Sequence, residues 1–504
     1  MREPHWLFAR HLPKSGMAYE ILSSLQMTDA DAKTVRDFRT PGFTLMQKAG
    51  KAVAAAAIER FEKRPVLVLC GPGNNGGDGF IAAEALKKKK WDVRIACSCF
   101  PETLSGDALR AADSWGGDVF QFADIELTGE ELVIDAIFGT GLSRPLDGAI
   151  ADILMMVRES GASVVAVDVP TGLNSDTGAC DPATPQADLT VTFFRKKYGH
   201  MLMPGMDACG EIIVADIGIP DEVLDGVSPL VRGNAPDQWG EYLEDKPRNS
   251  HKYDHGHVVV LGGRVMTGAA CLAGKSALRM GTGLVTIASA PETCPTYRAF
   301  SPSLIVEPMA ELARFKEHIK DPRRNVVLLG PGAGFENPAA LKKAVFDACQ
   351  RDPKMICVLD ADALTVFADD PRALWRVTGA HCILTPHEGE FARVFPDLKG
   401  SKIERALAAA ARSKSVVVLK GPDTVIAAPD GRCVVNGTGT GWLATAGAGD
   451  VLAGMIAGLA ARSLMDPFDT ACACAYLHGK AAEAIGPGLI SADLPDVIPM
   501  MLEV

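Results

Sequence analysis

The feature that most constrains this chain is a recurring unit: a short, almost continuous apolar run, then a glycine-bearing turn, then a helical stretch. In the first half such runs lie at 66–70 (VLVLC), 92–97, 132–136 (LVIDA), 163–168 (SVVAVD), 189–193 and 211–216. In the second they lie at 257–261 (HVVVL), 284–288, 326–329, 355–360 (MICVLD), 382–385 and 415–419. A strand apolar at every position is covered on both faces, which is the condition of a parallel sheet flanked by helices. The alternation predicts an α/β, doubly wound fold with ligands at the carboxyl ends of the strands. Segment 424–435 (TVIAAPDGRCVV) departs from the pattern and predicts a hairpin turning at Pro429-Asp430-Gly431. Thr28-Asp29-Ala30-Asp31 predicts a helix start, with an Ala-rich helix over 45–61 behind it.

At 504 residues the chain exceeds one ordinary core. A break at 219–252, holding Pro220, Pro229, Pro236, Pro247 and the polar run Lys246-Pro247-Arg248-Asn249-Ser250, predicts a linker between domains at 17–220 and 245–504. The halves share architecture but no repeated motif. The first sixteen residues carry no apolar signal-peptide core and are read as a loose extension ahead of Met17. The Ala/Gly-rich 451–461 is too short for a membrane span and predicts a buried helix. A formal charge of −11 with both signs dispersed speaks against nucleic-acid and acidic-membrane partners. The thirteen cysteines are scattered, with C-x-C pairs at Cys97/Cys99 and Cys472/Cys474, and are read as reduced core thiols of a cytoplasmic protein.

Three strand ends of the first half carry chemistry. GPGNNGGDG at 71–79 frees the backbone to approach a phosphate at a helix N-terminus, and Asn74, Asn75 and Asp78 add polar groups that a turn alone does not need. Asp135 leads into Phe138-Gly139-Thr140-Gly141-Leu142-Ser143-Arg144-Pro145, a second glycine-loosened anion cradle. Asp168 opens Asp168-Val169-Pro170-Thr171-Gly172. Either aspartate alone could be a helix cap or a loop carboxylate. Together they place two carboxylates, an amide and a hydroxyl at neighbouring strand ends, and oxygen-only donors suit a hard cation.

These motifs, with TPGFTLMQKAG at 40–50 and Lys197-Tyr198-Gly199-His200, resemble the NAD(P)H-hydrate epimerase domain over about 17–220. Tyr198 stands where that family often has proline. The resemblance implies a Rossmann-like three-layer sandwich in which Asn74, Asn75, Gly76, Gly77, Asp78 and Gly139, Thr140, Gly141, Leu142, Ser143, Arg144, Pro145 hold the hydrated cofactor. It further implies potassium on Asn75, Asp135 and Thr171, and substrate contact by Asp168. Asp168 is the candidate for proton transfer; Lys197, read as a loop lysine, is the weaker one.

In the second half Ala446-Gly447-Ala448-Gly449-Asp450 opens a helix whose first amides can stabilise a developing anion. Asp450 is read either as catalytic base or as a plain N-cap. Gly330-Pro331-Gly332-Ala333-Gly334, Asp360-Ala361-Asp362, Thr385-Pro386-His387-Glu388-Gly389-Glu390 and Lys420-Gly421-Pro422-Asp423-Thr424 each follow a strand. The set resembles the ribokinase-like superfamily, and within it the ADP-dependent NAD(P)H-hydrate dehydratases, over about 245–504. That resemblance implies a ribokinase-like three-layer sandwich in which Ala269, Gly334, His387 and Asp450 contact the hydrate. Lys420, Gly421, Pro422, Asp423, Thr424 and Gly449 contact the adenine nucleotide, ADP with ATP as the alternative, and magnesium accompanies it. The expected whole is a homo-oligomeric enzyme that epimerises and then dehydrates hydrated NADH and NADPH. A vitamin or sugar kinase is the rival reading of the second half. A non-catalytic scaffold is the rival for the first, and the intact Asp78, Asp135 and Asp168 argue against it.

Overall fold

The structure, a computed structural model, describes residues 19–141, 145–243, 247–463 and 465–502. It divides between Pro229 and Leu230 into two compact units, with Tyr19 joining the second.

The main sheet of the first unit holds seven strands: β1 (Val66–Cys70), β2 (Val93–Cys97), β3 (Val119–Gln121), β4 (Leu132–Ala136), β5 (Ser163–Val167), β6 (Leu189–Phe193) and β7 (Glu211–Ala215), and a separate two-residue pair joins Ile21–Leu22 to Lys196–Lys197. They lie in the order β3-β2-β1-β4-β5-β6-β7, every pair parallel. Strand order reverses between β1 and β4, the place where doubly wound sheets open a ligand crevice. Helix α1 (Ser24–Asp37) begins one turn before the Thr28 start expected from sequence. The reason is local: Ser23 Oγ accepts from the Gln26 amide, and Gln26 Oε1 accepts from the Ser23 amide, a reciprocal capping box. Helix α2 (Gly42–Arg60) packs on α3 (Asn74–Lys88), and Val53, Ala57 and Phe80 join Val66, Val68 and Cys70 in one apolar layer. Leu67, Leu69 and Val133 face the other way, onto Ile153, Leu154 and Val157.

The second unit holds β8 (Val231–Gly233), β9 (His257–Leu261), β10 (Leu284–Ser289), β11 (Ile305–Pro308), β12 (Val326–Leu329), β13 (Ile356–Leu359), β14 (Cys382–Leu384), β15 (Val416–Leu419), β16 (Val425–Ala427) and β17 (Cys433–Val435). Their order is β8-β17-β16-β15-β14-β13-β12-β9-β10-β11. Pairing is parallel except at β15–β16 and β16–β17, where the expected hairpin supplies the antiparallel strand. Around the sheet run α4 (Thr267–Arg279), α5 (Pro338–Cys349), α6 (Glu388–Val394), α7 (Lys402–Ser413), α8 (Ala448–Arg462) and α9 (Pro467–Ile485), of which α4, α8 and α9 share one apolar layer. The Ala/Gly-rich stretch becomes α8, buried along most of its length. Its glycines let it lie directly on α4: a Cβ on Gly454 would stand 2.2 Å from the Ala273 carbonyl oxygen. Among the described residues no helix is long and apolar enough to cross a membrane.

The segment expected to be a linker is folded, which corrects the domain limits. Residues 231–233 form β8, paired parallel to β17. Trp239 is fully buried in the second core; its Nε1 donates to Asn234 Oδ1 at 3.0 Å, and Asn234 Nδ2 donates to Asn436 Oδ1 at 2.9 Å. Prolines and charges made the stretch look detached, yet one tryptophan anchors it. Lys246, at the head of the polar run, lies outside the described residues.

Candidate active sites at two strand-end edges

In the first unit the glycine motif is the strand-to-helix joint itself. Helix α3 starts at Asn74, within the motif, so Asn74 and Asn75 stand in its first turn rather than in a loop. Gly76 and Gly77 are buried for packing: added Cβ atoms would meet the Gly71 carbonyl oxygen at 2.0 Å and Met46 Cε at 2.5 Å. At the end of β4, Asp135 Oδ2 accepts from the Thr171 amide at 2.7 Å and Oδ1 from Thr171 Oγ1 at 2.7 Å. Thr171 Oγ1 in turn accepts from the Phe138 amide at 3.0 Å. Burial raises the Asp135 pKa, against the pull of the hydrogen bonds from Thr171. The amide nitrogen of Asn75 is buried with no hydrogen-bond partner among the described residues.

Asp168 closes the edge. Its backbone is left-handed at φ 65°, and its Oδ1 accepts from Lys197 Nζ at 2.6 Å and Thr192 Oγ1 at 2.8 Å. Burial would raise this carboxyl, but the Lys197 ammonium outweighs it and holds the pKa below the ordinary carboxylate value. Lys197 is 1% exposed and lies on a short strand, so it is a buried partner of Asp168 rather than a loop lysine. His200 fixes both: Nδ1 accepts from the Lys197 amide at 2.8 Å and Nε2 donates to the Asp168 carbonyl at 2.8 Å. Burial first, then the Lys197 charge, pushes His200 down to about 4, so the ring is neutral at physiological pH. Two further carboxyls belong to this charge field. Burial and the Asp168 charge hold Asp78 well above the usual carboxylate range, and burial pushes Asp31 up to about 6. Asp31, from α1, was missed in sequence because nothing in its helical context distinguishes it from a surface acid. Gly139 faces the same space: a Cβ there would stand 3.0 Å from Asn75 Oδ1 and 3.2 Å from Asp168 Oδ2. Strand ends β1, β4 and β5 therefore bring Asn75, Gly139 and Asp168 together. Leu142, Ser143 and Arg144 of the proposed cradle lie outside the described residues.

In the second unit Lys420 is the hub. Its Nζ donates to Asp360 Oδ1 at 2.7 Å, lies 3.9 Å from Glu390 Oε2, and would stand 3.2 Å from a Cβ on Gly449. Burial would depress this ammonium, but Asp360, Glu390 and Asp450 together raise its pKa. Thr385 Oγ1 donates to Asp360 Oδ1 at 2.8 Å. Asp450 occupies the third position of α8, whose N-cap is Gly447 with no side-chain cap bond, so the N-cap reading of Asp450 falls. Burial, then the neighbouring Asp360 charge, pushes Asp450 up to about 7, with Lys420 opposing.

His387 does cap a helix. Its Nδ1 accepts from the Gly389 and Glu390 amides at 2.9 and 3.3 Å, which leaves the proton on Nε2, on a side chain 55% exposed. Gly334 donates its amide to Asp362 Oδ2 at 2.8 Å, and Ala269 packs against the same loop at Gly332. Within 420–424, Asp423 is buried in an ion pair with Lys402, and Thr424 Oγ1 closes the turn onto Gly421. Gly421 and Pro422 are exposed. Sequence reading missed Lys402 and the hub role of Asp360 and Glu390, since ion pairs between elements leave no local pattern.

Sequence profiles of two families match the chain: "YjeF-related protein N-terminus" over residues 42–199 and "NAD(P)H-hydrate dehydratase" over 258–496. The bifunctional NAD(P)H-hydrate repair enzyme of Moorella thermoacetica is 35% identical, with 96% of each chain covered. That of Archaeoglobus fulgidus is 37% identical, covering 95% of this chain and 98% of its own. The chain belongs to the bifunctional NAD(P)H-hydrate repair enzymes. A solved ADP/ATP-dependent NAD(P)H-hydrate dehydratase from Bacillus subtilis, crystallised with ATP and Mg2+, is 30% identical with a TM-score of 0.47, covering 54% of this chain and 97% of that one. The two strand-end edges sit on separate units.

Proposed function

We propose that the first unit interconverts the R and S epimers of hydrated NADH and NADPH, and that the second dehydrates the S epimer with an adenine nucleotide. The observation that carries the second half is Asp450: a carboxyl with no capping role, raised to about 7, beside Lys420 at the N-terminus of α8. A base poised near neutrality can take the hydroxyl proton of the hydrate as that oxygen attacks a phosphoryl group. Phosphate then leaves where hydroxide would not. The α8 amides at Gly449 balance charge on the transferring group. The exposed backbone at Gly421–Pro422 receives the nucleotide, while Lys402–Asp423 holds the turn. Ala269, Gly334 and the Nε2 proton of His387 face the hydrate. Among the described residues no three carboxylates converge on one point. Mg2+ would take one or two carboxylates there, with the nucleotide's phosphates supplying further ligands.

In the first unit Asp168 is the ionised group that moves the proton, held charged by Lys197 and oriented by Thr192. Asp78, held well above the usual carboxylate range, is the carboxyl that retains its proton, while Asp31 is pushed up only to about 6. Potassium would take Asn75, Asp135 and Thr171: Asp135 and Thr171 are buried oxygen donors joined at 2.7 Å, and Asn75 carries a buried side-chain amide whose nitrogen has no partner among the described residues. All thirteen thiols are free, which supports the cytoplasm as the working compartment. The test incubates the full chain with mixed-epimer hydrated NADH, with ADP or ATP, and follows NADH absorbance. Recovery of the whole mixture is expected. Nucleotide consumption with a vitamin or sugar alcohol, and none with the hydrate, would establish the kinase reading instead.

A further inference from the structure

Three cysteines meet at the edge of the second sheet opposite the nucleotide motifs. Cys357 on β13 and Cys382 on β14 are register partners, so their side chains share one face, and Cys349 ends the α5 helix packed on that face. All three are at least 96% buried, and their Sγ atoms lie within 4.8 Å of one another, Cys349 to Cys382 at 3.8 Å. The His381 ring stands at the rim, with Nε2 on the Cys349 carbonyl at 2.9 Å and the ring in hydrogen-bonding contact with the Cys382 thiol. Two sulfurs sharing a tetrahedral ion at ~2.3 Å stand roughly 3.8 Å apart. Three soft sulfurs are gathered as donors for a thiophilic d10 ion; the His381 nitrogens stand outside that group, and turning the ring inward would complete Cys3His, a structural zinc set.

We propose that Cys349, Cys357 and Cys382 form a structural Zn2+ site that ties α5 to strands β13 and β14, with the His381 ring turning in from the rim as fourth ligand. Binding replaces each thiol proton by a sulfur–zinc bond, releases the protons to solvent and involves no electron transfer. Cys357 lies three residues before Asp360 on the same strand, about 10 Å away, so the ion would take no part in chemistry at the opposite edge. Its role would be to fix the strands that carry Asp360 and His387.

Because the site is closed, zinc enters during folding. The full chain is therefore produced in zinc-supplemented medium, purified without chelator and assayed for metal by elemental analysis. About one zinc per chain is expected. Refolding with Co2+ should give thiolate-to-cobalt charge-transfer absorption that Zn2+ bleaches. Cys382→Ser and Cys357→Ser should lose metal and absorption, while Cys97→Ser keeps both. Wild-type protein free of zinc and without charge transfer on Co2+ refolding would overturn the proposal without recourse to variants. So would retention of zinc by Cys382→Ser. Copper(I) in place of zinc would overturn the assignment of His381 as fourth ligand, since three sulfurs suffice for that ion.

Discussion

At Asp450, stability and chemistry separate. The side chain caps nothing, so Asp450→Asn should leave the melting temperature nearly unchanged. It removes the base, which lowers a rate by about 10²–10⁴. Single-epimer NADH recovery beside a thermal melt reads both, and an early melt with normal turnover would make Asp450 structural. Since the base acts ionised, kcat/KM for dehydration should rise with pH through about 7. Glu390→Gln removes a charge that raises Asp450, so that limb should move to lower pH. The Asp168–Lys197 pair behaves differently. Lys197→Met strands a buried carboxylate and should destabilise the first unit by about 3–5 kcal/mol. Adding Asp168→Asn should restore much of the stability and none of the epimerisation, as denaturant melts and epimer assays on both variants would show. At Asp135, alanine removes the charged oxygen from the proposed potassium set. Epimerisation should slow and lose its response to added potassium, while dehydration of the S epimer stays as it was. An unchanged ion response would place potassium elsewhere.

At the scale of elements, what is legible in sequence is what local chemistry dictates. Strands buried on both faces, such as VLVLC and HVVVL, are unmistakable because every position is apolar. Of the strands left unread, β3, β8 and β11 are sheet edges of three or four residues with half-exposed positions, where no such run is needed. The strand-end motifs were equally visible, since glycine joints and acidic strand ends are local. The partners of those motifs were not: Lys197 with Asp168, Lys420 with Asp360, and Lys402 with Asp423 join residues 29, 60 and 21 positions apart. Such pairs exist only once the sheet has placed its strand ends side by side. The α8–α4 contact is also a product of the fold, and it links packing to chemistry because α8 carries Gly449 and Asp450. Gly454→Ala would put a methyl 2.2 Å from the Ala273 carbonyl and must lift α8 off α4. Overpacking of this kind costs about 1–3 kcal/mol. Dehydration should fall along with the melting temperature, and epimerisation should hold. Equal loss of both activities would show that α8 matters beyond its own unit.

For the whole molecule, the decisive question is where the chain can be cut. Sequence places the second domain's start at 245, after the prolines; the structure places it at Leu230. The difference is β8 and Trp239. A fragment of residues 245–504 lacks the partner strand of β17 and leaves a void where the indole filled the core beside Tyr476, 5.6 Å between ring centroids. Loss of a buried tryptophan costs about 3–5 kcal/mol, a large share of the 5–15 kcal/mol that stabilises an ordinary domain. Asn234 and Asn436 also lose each other inside that core. Residues 230–504 should therefore fold and dehydrate the S epimer, while 245–504 should melt many degrees lower or fail to fold. Residues 1–229 should keep epimerase activity, since its strand ends, the Asp168–Lys197 pair and both apolar layers all lie within that fragment. Circular dichroism melts of the three fragments, with epimer and NADH-recovery assays on each, decide the matter. If 245–504 proves as stable and active as 230–504, Trp239 fills space without anchoring it.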